Sequence, residues 1–124
     1  MSDTEKVILS IENDTSVRET IVAIVQSLGY TCLEASNAFR ARDILNEQVV
    51  DLILLDIHMP GARGNQFLRF IRDRGIHTPV IVISGYLQEK IIEEIAGLEV
   101  TAVMPKPIRV ARLAEEIHKA FDSE

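Results

Sequence analysis

The chain has 124 residues, of which 13 are Lys or Arg and 19 are Asp or Glu, so its formal net charge at pH 7 is −6. This length suits one domain with a buried core, and we expect a single domain over residues 1–124. Hydrophobic residues make up 47% of the chain and charged residues 26%, which excludes a disordered or fibrous protein.

The net charge and the cysteine content limit the binding partners and the cellular location that we expect. The acidic balance argues against direct nucleic-acid binding, because affinity for phosphate backbones depends on Lys and Arg. The single cysteine, Cys32, excludes an internal disulfide and favours a reducing, cytoplasmic location. No apolar run approaches the roughly 20 residues of a membrane span, and no signal-peptide pattern opens the chain. We therefore expect no membrane partner.

Short apolar segments, rich in β-branched residues, alternate with longer amphipathic segments along the chain. Strands are predicted at residues 6–11, 31–34, 51–55, 79–83 and 100–104. All but the second are nearly continuous in hydrophobicity, which is typical of strands buried on both faces.

A helix is predicted after each strand from apolar residues at helical spacing. The first helix should begin with a capping box of Ser16 and Glu19 and end at Gly29. The other helices are marked by Ala38, Ala41 and Leu45, by Phe67, Phe70 and Ile71, by Ile91, Ile92 and Ile95, and by Val110, Leu113, Ala114, Ile117 and Phe121. Five strand–helix repeats predict a doubly wound (βα)5 α/β sandwich with a parallel sheet.

Polar residues follow four of the predicted strands. They are Glu12-Asn13-Asp14 after the first, Asp56 after the third, Ser84 after the fourth and Lys106 after the fifth. In a doubly wound sheet the functional crevice lies beyond the carboxyl ends of the strands, so we expect these side chains to converge there.

That set of groups favours phosphoryl chemistry. Oxygen ligands around a central carboxylate suit Mg²⁺, which takes one or two carboxylates and leaves room for phosphate oxygens. Asp56 is the natural nucleophile, because a carboxylate can attack phosphorus to form an acyl phosphate. The cation, the Lys106 ammonium and the Ser84 hydroxyl would share the oxygens of the transferred group.

The segment Leu54-Leu55-Asp56-Ile57-His58-Met59-Pro60-Gly61, followed by Gly64, resembles the phosphoacceptor segment of two-component response regulator receiver domains. Val82-Ile83-Ser84-Gly85 and Met104-Pro105-Lys106-Pro107 resemble the hydroxyl and Lys-Pro segments of the same family. The resemblance covers essentially the whole chain.

The resemblance implies a flavodoxin-like sheet of order 2-1-3-4-5 and a signalling domain rather than an enzyme. Asp56 would accept a phosphoryl group from a histidine kinase or a histidine phosphotransfer protein, and Ser84 and Lys106 would contact that group. Mg²⁺ would be held by Glu12, Asn13, Asp56 and the backbone carbonyl of His58. The family also implies a cis Lys106–Pro107 peptide bond and an unidentified downstream protein target.

Three positions depart from the family pattern. Where the family usually has two acidic residues after the first strand, this chain has Glu12 and Asn13. Because the Asn13 amide is neutral, we expect weak Mg²⁺ binding unless Glu12 or Asp14 compensates. Val103 replaces the usual aromatic residue three positions before the lysine, so we expect the response to pass through Ser84 and the loop Gly85-Tyr86-Leu87. Arg63 precedes Gly64 where an acidic residue is common.

Three alternative functions fit this sequence less well. An aspartyl phosphohydrolase would need a second aspartate two residues after Asp56, where this chain has His58. A flavodoxin-like electron carrier would need a Ser/Thr/Gly-rich loop after the first strand, where Glu12-Asn13-Asp14 stands. The remaining alternative is a degenerate receiver that binds its partner without being phosphorylated, which Asn13 and Val103 favour and Asp56, Ser84 and Lys106 oppose.

Overall fold

The structure is a computed structural model that describes residues 5–59, 63–86 and 88–122. Pro60, Gly61 and Leu87, which belong to the motifs above, lie outside the described residues. Strands and helices alternate along the chain as predicted. They are β1 (Val7–Ile11), α1 (Thr15–Ser27), β2 (Thr31–Ala35), α2 (Ala38–Glu47), β3 (Leu52–Asp56), α3 (Gly64–Asp73), β4 (Val80–Ser84), α4 (Glu89–Ala96), β5 (Val100–Pro105) and α5 (Val110–Asp122).

The five strands form one parallel sheet in the order β2-β1-β3-β4-β5, which confirms the predicted fold class and strand order. All residues of β3 and β4 are buried, because these two central strands are covered on both faces. One core layer packs α2, α3 and α4 against the sheet, and the other packs α1 and α5 against the opposite face.

The strands extend slightly further at their carboxyl ends than predicted. Asp56 and Ser84 are the last residues of β3 and β4 rather than the first residues after them. The ladder continues past the apolar run because Asp56 pairs with Ile83 and Ser84 pairs with Pro105. Backbone pairing thus fixes the positions of both polar residues.

The predicted start of α1 was wrong in detail. The N-cap is Asp14, whose carboxylate accepts a hydrogen bond from the Val17 amide at 3.0 Å, and Ser16 already lies inside the helix. Asp14 directly precedes the first helical residue, Thr15, so its carboxylate reaches the free amides of the first turn and caps the helix in place of the Ser16–Glu19 pair. The end of α1 agrees with the prediction, since Gly29 has a φ of 92° just after the C-cap.

Arg72 is a buried cation that ties three segments together. Its side chain is 6% exposed, and Nη1 donates to the carbonyls of Ile76 at 2.8 Å and Thr78 at 2.9 Å. Nε donates to the carbonyl of Leu98 at 2.8 Å and Nη2 to that of Glu99 at 3.2 Å. Burial lowers the pKa of the guanidinium, and the Glu99 carboxylate opposes that shift. Arg72 thereby joins α3 to the turns that lead into β4 and β5.

We predict that Arg72→Met lowers the free energy of unfolding by about 2–4 kcal/mol, because it leaves four carbonyls without their charged donor. Arg69→Met is the matched control, since Arg69 is exposed on the same helix, and should change stability by less than about 0.5 kcal/mol. Urea denaturation of both variants checks this. Equal stability of the two variants would contradict the structural role assigned to Arg72.

Candidate functional site

Four polar residues come together at the carboxyl edge of the sheet, as the sequence predicts. Glu12 follows β1, Asp56 ends β3, Ser84 ends β4 and Lys106 follows β5. These four strands are neighbours in the sheet and run parallel, so their carboxyl ends lie on one edge. Lys106 is held in place by its own amide, which donates to the Ser84 carbonyl at 2.9 Å. The Lys106–Pro107 peptide bond is cis, as the resemblance implied.

The centre of the site is one ammonium between two buried carboxylates. Lys106 Nζ lies 3.0 Å from Glu12 Oε1 and 3.5 Å from Asp56 Oδ2. The carboxylates are 1% and 3% exposed, whereas the Lys106 side chain is 24% exposed. Lys106 thus reaches the pair from the solvent side of the crevice and lies closer to Glu12 than to Asp56.

One positive charge does not balance two negative charges. Burial raises the pKa of Glu12 and the neighbouring Asp56 charge raises it further, while the Asp14 amide and Lys106 oppose both effects. Burial lowers the pKa of Lys106, but its contacts with Glu12 and Asp56 outweigh burial, so its pKa is raised. With all three groups ionised the cluster carries one uncompensated negative charge.

Backbone contacts hold Asp56 in position. The His58 amide donates to Asp56 Oδ1 at 3.2 Å. The Gly64 amide donates to the Ile57 carbonyl at 2.9 Å, which brings the start of α3 against the end of β3. A Cβ at Gly64 would lie 2.6 Å from both the Asp56 carbonyl oxygen and Ile57 Cα, so only glycine fits this close approach.

The Ser84 hydroxyl bonds within its own loop. Its Oγ donates to the Tyr86 carbonyl at 3.0 Å and accepts from the Tyr86 amide at 3.1 Å. His58 Nε2 contacts the same carbonyl, which links the loop after β3 to the loop after β4. The Tyr86 ring is exposed, and the N-cap of α4 is Gln88, so Tyr86 does not cap that helix.

The residues after β1 have three different environments. Glu12 is buried and its Oε2 accepts from the Asp14 amide at 3.1 Å. Asp14 is exposed and its carboxylate caps α1, so it is already engaged away from the crevice. Asn13 is exposed between them.

Arg18 fixes the segment after β1, a role for which the sequence carries no signal. Its Nη1 donates to the Glu12 carbonyl at 2.7 Å, and its Nε contacts Glu34 Oε1 at 3.3 Å. Arg18 lies on the first turns of α1 and joins the ends of β1 and β2. Arg18 belongs to no sequence motif, so the sequence alone does not predict this contact.

The donors at this edge fit a hard divalent cation. Glu12 and Asp56 place two buried carboxylates around Lys106, and the residual negative charge favours a cation. Within the described residues no group of three or more His, Cys, Asp and Glu side chains is placed to hold a metal. Two carboxylates are nevertheless what Mg²⁺ commonly takes from protein, with water and phosphate oxygens completing its shell.

A doubly wound parallel sheet with a Glu, Asp, Ser and Lys cluster at its carboxyl edge defines the class of this protein. The model of the response regulator receiver domain family matches residues 8–118, and the chain belongs to that family. It is accordingly a receiver domain of two-component signalling, and receiver domains are signalling domains rather than conventional enzymes.

The chain is similar to longer regulatory proteins. It is 33% identical over 99 residues to the phosphate regulon transcriptional regulatory protein PhoB of Pseudomonas aeruginosa, covering 78% of this chain and 42% of that protein. It is 34% identical over 113 residues to the Regulator of RpoS of Escherichia coli, covering 90% of this chain and 34% of that protein. The chain therefore spans less than half the length of these relatives.

Solved structures confirm the fold. A CheY-like response regulator receiver domain protein from Methanospirillum hungatei superposes with a TM-score of 0.92 at 22% identity, covering 97% of this chain and 96% of that one. Chemotaxis protein CheY4 of Vibrio cholerae superposes with a TM-score of 0.88 at 19% identity, covering 94% and 99%. In the described part of the chain, no helix is long and apolar enough to cross a membrane.

The raised pKa of Glu12 predicts a pH dependence of stability. A carboxyl whose folded pKa exceeds its ordinary value of 4.5 contributes stability below that value and loses it as pH rises through the folded pKa. Because the glutamine of Glu12→Gln does not ionise, this variant does not lose stability in this way. Its stability should therefore rise relative to that of wild type as pH increases above 4.5. Denaturation of both proteins at a series of pH values above 4.5, with a metal chelator in the buffer, measures the difference in their free energies of unfolding. A difference that shrinks with rising pH would contradict the assignment.

Proposed function

We propose that this receiver domain accepts a phosphoryl group on Asp56 from a histidine kinase or a histidine phosphotransfer protein. The observation that carries the proposal is the Lys106 ammonium beside the buried Asp56 carboxylate, at the edge where the crevice opens. The phosphorus–nitrogen bond of the donor would break as a phosphorus–oxygen bond to Asp56 forms, and the donor imidazole would leave with the electron pair.

The groups around Asp56 have distinct tasks in that reaction. The His58 amide orients the carboxylate, and Lys106 compensates charge that develops on the phosphoryl oxygens. Ser84 would donate to one of those oxygens, and to do so its hydroxyl must leave the Tyr86 carbonyl. When bound, Mg²⁺ would compensate further charge on the phosphoryl group, held by Asp56, Glu12, Asn13 and the His58 carbonyl.

The signal would leave the site through the loop after β4. Val103 is half-buried and packs against the core layer of α2, α3 and α4, and its short, stiff side chain cannot exchange buried and exposed positions as an aromatic can. Movement of Ser84 would instead displace Gly85 and Tyr86, because the hydroxyl is bonded to Tyr86 through two contacts. Leu87, the third residue of the proposed relay, lies outside the described residues.

A second candidate is a receiver that binds its partner without phosphorylation. Lys106 lies nearer to Glu12 than to Asp56, and Asn13 leaves the cation site one carboxylate short of the family pattern. Both features would slow or prevent phosphorylation. The labelling experiment below separates the two candidates.

We predict that the wild-type protein, incubated with acetyl phosphate and Mg²⁺, gains the mass of one phosphoryl group by intact-mass spectrometry. Asp56→Asn should gain none, because an amide is a poor nucleophile. Asp73→Asn is the matched control, since it removes an exposed carboxylate at the end of α3, and it should label like wild type. Equal labelling of all three proteins would exclude Asp56, and no labelling of wild type would favour the second candidate.

Asn13→Asp should tighten Mg²⁺ binding about tenfold or more in a calorimetric titration. A unit charge about 4 Å from a cation contributes about 4 kcal/mol at an effective dielectric near 20, and desolvation offsets part of this. Asn46→Asp adds the same charge at an exposed position of α2 and is the control. If Asn13→Asp binds Mg²⁺ no more tightly than the control, Glu12 already completes the ligand set.

A further inference from the structure

The surface between α2 and α3 has a charge opposite to that of the chain. Apart from the buried Arg72, residues 38–47, which form α2, and 63–76, which contain α3 and its flanks, carry five Arg and three acidic residues, a net charge of +2 in a chain of −6. The five cations are Arg40, Arg42, Arg63, Arg69 and Arg74. All are arginine, the residue that binds carboxylates in bidentate geometry.

A groove runs along this surface. We define the α2–α3 groove by Phe39, Arg42, Phe67, Phe70 and Arg74. It consists of two adjoining cavities of about 200 and 290 Å³, which share Arg42 and Phe70 as wall residues. Phe67 forms part of the buried floor, whereas Phe39 is 65% exposed.

Each rim of the groove presents an arginine stacked on an aromatic ring. Arg42 Cζ lies 5.7 Å from the centroid of Phe39 on α2, and Arg74 Cζ lies 4.8 Å from the centroid of Phe70 at the end of α3. Stacking orders each guanidinium over an apolar surface while its edge remains available to a carboxylate. Asp43 lies 3.8 Å from Arg42, but both side chains are about half exposed, so this contact is weak.

We propose that the α2–α3 groove binds an acidic amphipathic helix of a partner protein. The apolar face of that helix would cover Phe39 and Phe70, and its flanking Asp or Glu residues would pair with Arg42 and Arg74. The ten residues of α3 span about 15 Å, which matches roughly three turns of a bound helix. Neither Lys106 nor Asp56 lines either cavity of the groove, so we expect binding that does not depend on the proposed phosphorylation.

The test uses the whole chain and a labelled synthetic peptide of about 14 residues, with leucine at i, i+3, i+4 and i+7 and glutamate elsewhere. Fluorescence anisotropy should show saturable binding that weakens with added salt. Phe39→Ala and Arg42→Ala should each weaken binding about tenfold. Arg109→Ala, an exposed arginine before α5, is the control and should bind like wild type. Asp56→Asn should also bind like wild type.

Several results would overturn the proposal. The first is the absence of saturable binding to wild type, and the second is equal binding by Phe39→Ala and Arg109→Ala. A third is equal affinity for a peptide with lysine in place of glutamate, since charge complementarity would then play no part. A fourth is self-association in sedimentation that both Phe39→Ala and Ile92→Ser abolish. The groove would then hold the acidic α4 face of a second copy, formed by Glu89, Ile92 and Glu93.

Discussion

The Lys106 ammonium between Glu12 and Asp56 is the contact on which the rest of the site depends. Two carboxylates that are almost wholly buried at 1% and 3% exposure would repel each other strongly without it. Lys106 offsets only one of their two charges, so the site retains an affinity for further positive charge. Burial is the main cause of the raised pKa of Glu12, whereas the contacts with Glu12 and Asp56 raise the pKa of Lys106 against the effect of burial.

Strand register, rather than loop conformation, positions the charged groups of the site. Asp56 is the last paired residue of β3, and the Lys106 amide pairs with the Ser84 carbonyl at the end of β4. Close approach of Gly64 to Asp56 then holds the start of α3 against the same edge. A shift of one residue in any of these strands would turn the functional side chain to the opposite face of the sheet. Strand register thus places the charges, and the loops that carry His58 and Tyr86 add hydrogen bonds to Asp56 and Ser84.

The sequence predicted the architecture and the convergence of Glu12, Asp56, Ser84 and Lys106, because buried parallel strands have a strong apolar signature and their ends share an edge. It did not predict which polar groups pair with which. Asp14 caps α1 although Ser16 and Glu19 carry the usual capping pattern, and Ser84 bonds to Tyr86 rather than toward Asp56. Arg18 and Arg72 each hold backbone carbonyls contributed by distant parts of the chain, and only tertiary structure reveals such contacts.

The charge imbalance around Lys106 is the central property of the site. Mg²⁺ affinity of Lys106→Met, measured by calorimetry at mildly alkaline pH beside a Lys119→Met control, tests it directly. Removing the ammonium should tighten Mg²⁺ binding by at least about tenfold, because the positive charge that contacts both Glu12 and Asp56 is lost. The Lys119→Met control should bind Mg²⁺ like wild type, since Lys119 is exposed on α5. Unchanged or weaker Mg²⁺ binding by Lys106→Met would show that the cluster does not hold an uncompensated negative charge.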